Sequence, residues 1–115
     1  MSQAFPAQAR IKTAEEFSRV RQSGLTMRGP YFRVGFLQSN KRRLGLVLSK
    51  QVGPAVTRNR LKRRSREHFR KHASLYPCGD FVLIPQSKAA ELACKDYFAA
   101  LEKMLVKLKS ELGEA

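Results

Sequence analysis

Apolar and polar positions along this chain change their period several times, and each change marks an element. From Thr13 the spacing is helical: Thr13 and Glu16 make a T-x-x-E capping box, Phe17 and Val20 form an apolar edge, and Gly24 supplies a stop. Residues 31–38 then alternate, with Phe32, Val34 and Phe36 on one side and Arg33, Gly35 and Leu37 on the other. Residues 43–49 alternate again through Leu44, Leu46 and Leu48. Two such runs around the short polar turn Ser39-Asn40-Lys41 read as an antiparallel hairpin. Gly53-Pro54 punctuates the chain, and residues 55–72 read as a helix with Pro54 in its first turn. Residues 80–84 form a short apolar strand closed by Pro85. Residues 94–109 place Tyr97, Phe98, Leu101, Leu105 and Leu108 at helical spacing. The order α, β-hairpin, α, β, α predicts an α+β fold: a single-domain α/β sandwich over 1–115 with a small mixed sheet. Residues 1–10 and 111–115 are expected to fray.

Length fits that picture, since 115 residues bury enough surface for one modest core. Charge changes it. Lys and Arg number 23 against 9 Asp and Glu, a net +14. Such an imbalance repels itself unless a polyanion neutralises it, so nucleic acid is the expected partner. Cys78 and Cys94 make no CxxC pair, which argues against a disulfide framework or a standard zinc site and suits a reducing compartment. No apolar run is long enough to span a bilayer, and the first residues carry no secretory pattern. A cytoplasmic protein without membrane or small-molecule partners is expected.

The excess charge is concentrated in residues 57–72, where eight cations face the single acid Glu67, a net +7. Projected as a helix, Leu61, Ser65, His68, Phe69 and His72 share one face. Asn59, Lys62, Arg63, Arg66 and Arg70 form a stripe on the opposite side. Cations recur there about every 5.4 Å of helix rise, close to the spacing of successive phosphates. Solvated faces usually mix signs through i,i+4 ion pairs, and this one does not. Arginine also offers a planar fork to phosphate oxygens.

A nuclease of the metal-assisted kind needs convergent carboxylates. The nine acids here are scattered over separate elements without a D-x-D or H-x-x-E pair. His68 and His72 have ligand spacing, but they lie on the expected core face and read first as packing or RNA-edge residues. No catalytic or metal-binding residue is expected in the chain itself.

Arg58-Asn59-Arg60-Leu61-Lys62-Arg63, followed by Arg66-Glu67 and Phe69, resembles the RNR motif of the bacterial ribonuclease P protein family. Glu16-Phe17 with Val20 and Gly24, Arg43-Leu44-Gly45-Leu46 with Ser49-Lys50 and Val52-Gly53, and Gly79-Asp80-Phe81-Val82 extend the resemblance over about residues 11–109. It implies a left-handed β-α-β crossover carrying the basic helix, against the general right-handed preference. It also implies a subunit that joins a catalytic RNA and promotes magnesium-dependent removal of the 5′ leader from precursor tRNA, with magnesium held mainly by the RNA. The motif helix would face the catalytic RNA, and a cleft between the first helix and the open sheet face would hold the single-stranded leader. The RNA-contacting set implied by stripe and resemblance together is Arg58, Asn59, Arg60, Lys62, Arg63, Arg66 and Arg70 with Lys50, Phe17, Arg21, Arg33 and Arg43. Gln51 stands where the family often has a second lysine, Arg21 where it often has an aromatic, and Arg33 and Gly35 where larger apolar groups are usual. Arg21 and Arg33 are therefore expected to shift the cleft toward backbone charge and guanidinium stacking.

Overall fold

The computed structural model describes residues 10–113. Helix α1 (Ala14–Ser23) begins at the anticipated capping box, with the Thr13 hydroxyl accepting from Glu16 N–H at 3.1 Å. The Glu16 carboxylate accepts in return from the N–H groups of Thr13 (3.2 Å) and Lys12 (2.9 Å). The helix stops at Gly24, where a Cβ would lie 2.4 Å from the Phe36 carbonyl oxygen. Strand β1 (Leu25–Arg28) follows, turns at Gly29 and pairs antiparallel with β2 (Phe32–Gln38). Next come β3 (Arg42–Leu46), α2 (Ala55–Lys71), β4 (Gly79–Pro85) and α3 (Cys94–Glu111).

The four strands lie in the order β1-β2-β4-β3. β4 is antiparallel to β2 and parallel to β3, so β3, α2 and β4 form the expected β-α-β unit. The hairpin is not where the sequence pattern put it. β2 and β3 are separated by β4, and the hairpin partner of β2 is β1, a strand the pattern did not predict. The reason lies in β4, which is apolar on both faces: Phe81 and Leu83 point one way, Val82 and Ile84 the other. A strand that is buried on both sides belongs at the centre of a sheet, and it displaces the less apolar β3 to the edge. β1 escaped notice because four residues with only Leu25 and Met27 apolar give too short an alternation to register.

One sheet face carries Met27, Phe32, Val34, Phe36, Leu44, Phe81 and Leu83 and packs on Leu61 and Phe69 of α2 and Tyr97, Leu101, Leu105 and Leu108 of α3. The other face is partly covered by α1, whose Val20 packs with Ile11 and Val82. Close seating of α1 depends on missing side chains. A Cβ on Gly45 would stand 2.7 Å from the Phe17 ring, and one on Gly35 would stand 3.2 Å from Val20. Gly35 thus serves the α1 contact. Of the two ends expected to fray, Arg10 bridges to Leu44 along the outer edge of β3, and α3 runs through Glu111. Residues 1–9 and 114–115 lie outside the described residues.

Candidate nucleic-acid interface

Helix α2 divides largely as its sequence pattern predicted, except that His72, expected on the core face, caps the helix end without being buried. Leu61, Ser65, His68 and Phe69 are buried against the sheet and α3. Ser65 donates to the Leu61 carbonyl at 2.8 Å, so the Tyr97 hydroxyl must donate to Ser65 across their 2.7 Å contact. Asn59 and Arg63 are exposed and Lys62 is half-buried on the other side. Neither Lys62 nor Arg63 forms an ion pair among the described residues. The first turn of α2 holds no acid and no side-chain cap, so its N–H groups add to the positive end of the helix.

The flanking guanidiniums are held, yet not neutralised. Arg58 donates to the Gly53 carbonyl (3.2 Å), Arg60 to the Ala90 carbonyl (3.0 Å) and Arg64 to the Leu92 carbonyl (2.8 Å). Arg64 also lies 5.7 Å from the centre of the Tyr97 ring. Carbonyl acceptors fix orientation and leave the full charge in place. Among the described residues, a carboxylate pairs with α2 cations toward the far end, where Glu67 meets Arg70 at 2.7 Å and Lys71 at 2.9 Å. Those bonds hold the Glu67 carboxyl down at about 2. Arg70, a member of the expected cationic stripe, is therefore partly compensated by Glu67. Arg66 is half-buried, and burial first, then the neighbouring Arg10, lowers its pKa. Lys50 is exposed in the 3-10 turn (Lys50–Val52) that leads into α2.

On the opposite sheet face, a groove of about 550 Å³ runs between α1 and the strands. Phe17, Arg21, Arg33 and Ile84 are among the residues lining it, so the structure brings Phe17, Arg21 and Arg33 together as expected. Arg28 was missed with its strand. The β1–β2 register sets it directly opposite Arg33, and both are exposed. Two cations placed opposite each other across strands repel unless an anion lies between them.

Arg43, expected among the RNA-contacting residues, is also engaged within the fold. Its Nε and Nη2 meet both oxygens of buried Asp80 at 2.7 Å, and its Nη1 meets Glu16 at 2.7 Å. It is a clamp joining β3, β4 and α1, which raises its pKa, Asp80 contributing most. The Glu16 carboxyl drops to about 2, chiefly through the Lys12 N–H, then Arg43, then the Thr13 N–H.

The fold and these two surfaces define a class: a small α+β protein with a cationic crossover helix on one side of its sheet and a cation-lined groove on the other. A family model described as Ribonuclease P matches residues 5–109. The ribonuclease P protein component of Thermotoga petrophila is 35% identical over 113 residues, covering 95% of this chain and 97% of that protein. That of Shouchella clausii is 38% identical over 104 residues, covering 87% and 85%. Among solved structures, the Staphylococcus aureus RNase P protein aligns with a TM-score of 0.83 at 31% identity over 88% of this chain and 95% of that one. The Thermotoga maritima RNase P protein aligns at 0.71 and 31% identity over 86% and 93%. The chain belongs to the bacterial ribonuclease P protein family.

Proposed function

We propose that this chain binds the catalytic RNA of ribonuclease P through α2 and the single-stranded 5′ leader of precursor tRNA through the α1 groove. It thereby promotes endonucleolytic removal of the leader in the cytoplasm. The observation that carries this reading is the N-terminal half of α2, where Arg58, Arg60 and Arg64 are oriented by carbonyls and Lys62 and Arg63 by no carboxylate. A face built this way stores positive charge in a fixed array, and a phosphate backbone supplies the missing anions. In the groove, Phe17 offers a ring for a base, while Arg21 and Arg33, with Arg28 opposite Arg33 across the strands, offer guanidiniums to phosphates or base planes.

Magnesium belongs to the RNA in this reading. Magnesium wants oxygen ligands in near-octahedral geometry. Among the described residues, the one set of three converging His, Cys, Asp or Glu side chains is His68, His72 and Glu102, which is nitrogen-rich and does not fit that ion. No step of the reaction is assigned to a side chain of this protein.

Reconstitution tests the proposal. Precursor tRNA is incubated with the catalytic RNA at limiting magnesium, with and without the protein. The protein should restore cleavage and by itself cut nothing. Unchanged cleavage on adding the protein, or cleavage by the protein alone, would overturn it.

A further inference from the structure

At the seam between α2 and α3, away from the groove, three ligating side chains converge. His68 and His72 stand one turn apart on α2, and Glu102 reaches them from α3. Their nitrogen and carboxylate oxygen atoms lie within 4.8 Å of one another. His68 is fully buried, and its ring is held from both ends: Nδ1 is 2.8 Å from the Tyr76 hydroxyl and Nε2 is 3.1 Å from Glu102. The His72 ring lies 4.8 Å from the His68 ring, and the Phe98 ring lies 5.1 Å from that of His68. We propose that His68, His72 and Glu102 form a site for a zinc-class transition metal ion that ties the cationic helix α2 to α3.

Two imidazoles and one carboxylate make a three-ligand set that leaves a fourth position for water. Histidines at i and i+4 on one helix face can reach a common ion, as the same-face geometry of the helix allows. Each feature around His68 matches what a metal-binding imidazole needs. Its apolar burial, assisted by His72, lowers its pKa against the opposing pull of Glu102, which favours the uncharged ring. The Tyr76 hydroxyl can either donate to Nδ1 or accept from it. Without metal, Tyr76 donates and Nε2–H serves Glu102. With metal, Nδ1 carries the hydrogen and donates to Tyr76, and Nε2 turns its lone pair to the ion. The ring need not move between the two states. A hydroxyl partner on the far ring nitrogen also fixes the ligand's orientation.

Access comes from Glu102, whose side chain is 48% exposed and can swing the small distance needed to close the set. The net charge of +14 opposes any cation, so affinity must come from the ligands themselves. That favours an ion with strong imidazole bonds over magnesium or calcium. The bland alternative is a core histidine satisfied by Tyr76 and Glu102. It explains His68 but gives no reason for a second imidazole beside it. Metal binding at this seam is independent of RNA binding and survives or fails without it.

The test is thermal melting of the full chain with Zn²⁺ alone after chelator treatment. Cys78 and Cys94 are free and exposed, so the experiment uses the Cys78→Ser, Cys94→Ser protein to remove adventitious thiol binding. Zinc at about a hundredfold excess over its Kd should raise the Tm by about 5 °C or more. Co²⁺ should give the visible absorption of a tetrahedral site. His72→Gln and Glu102→Gln, both on the open side of the cluster, should each weaken zinc binding at least about tenfold, and Tyr76→Phe by about ten- to a hundredfold. Absence of a shift in the cysteine-free protein, or a shift of undiminished size in both His72→Gln and Glu102→Gln, would overturn the proposal.

Discussion

Replacing Arg43 with methionine separates a structural clamp from an RNA contact. The guanidinium makes two bonds of 2.7 Å to Asp80 and one of 2.7 Å to Glu16. The Asp80 side chain is 5% exposed, so Arg43→Met strands a carboxylate almost wholly out of water. Breaking one side of a buried pair costs about 3–5 kcal/mol. The Arg43 and Glu16 side chains are 20% and 23% exposed, which admits solvent and favours the low end of that range, about 3 kcal/mol. For a domain of this size that is a Tm drop of about 12 °C, taking about 4 °C per kcal/mol. Urea and thermal unfolding followed by circular dichroism at neutral pH measure it. The double variant Arg43→Met, Asp80→Asn removes the stranded charge and should lie above Arg43→Met alone. A loss under about 1 kcal/mol, or a double variant worse than the single by the full Asp80→Asn effect, would refute the clamp. RNA binding supplies the second half of the test. Below its melting range Arg43→Met should keep the parent's salt dependence, whereas a slope reduced by about 0.7 would show that Arg43 meets a phosphate after all.

Other outcomes follow from the same contacts. The Glu16 carboxyl sits at about 2 instead of the ordinary 4.5, so its contribution is complete above pH 4.5 and is lost as pH falls toward 2; the urea midpoint should decline across that window, and less steeply in Glu16→Gln. With about five cations of α2 on single-strand-like phosphates, the log-log salt slope of RNA affinity should be near −3.5, and Lys62→Ala or Arg63→Ala should each reduce its magnitude by about 0.7 in filter-binding titrations. Arg33→Ala should weaken leader binding and flatten its salt slope while leaving binding to the catalytic RNA alone unchanged; identical leader binding would remove Arg33 from the groove's function. Gly79 has φ near 152° and a Cβ there would stand 2.4 Å from the Leu37 carbonyl oxygen, so Gly79→Ala should cost at least about 2 kcal/mol in chemical denaturation.

Elements whose information is local are legible in the sequence itself. The Thr13–Glu16 capping box, the faces of α2 and the apolar stripe of α3 all follow from residues within a few turns of one another. Pairing is not legible in this way, because it depends on which strand is most apolar overall and not on which strands are neighbours in sequence. β4 inserts between β2 and β3 for that reason, and the short turn at Ser39–Lys41 ends one strand and starts another without folding them together. The same dependence hid Arg28, which becomes a neighbour of Arg33 only through the β1–β2 register. It also hid the partners of Arg43, since nothing in the sequence says that Glu16, 27 positions away, and Asp80, 37 positions away, will meet its guanidinium.

The placement of the acids explains how this family member keeps a cationic surface without unfolding. Acids are few, and the contacts of the described residues set them where a lost partner would matter to the fold: Glu16 and Asp80 pair with Arg43, Glu67 pairs with cations at the last turns of α2, and Glu102 hydrogen-bonds His68. Toward the start of α2 the cations are positioned by neutral carbonyls instead. A carboxylate there would hold a guanidinium more strongly but would have to be displaced, and its charge repelled, when phosphate arrives. A carbonyl holds the side chain less tightly, removes part of its conformational entropy in advance and leaves the field intact. Pre-ordering without neutralisation is therefore the physical property that makes this helix fit for a polyanion, and it is visible in which oxygens its arginines touch.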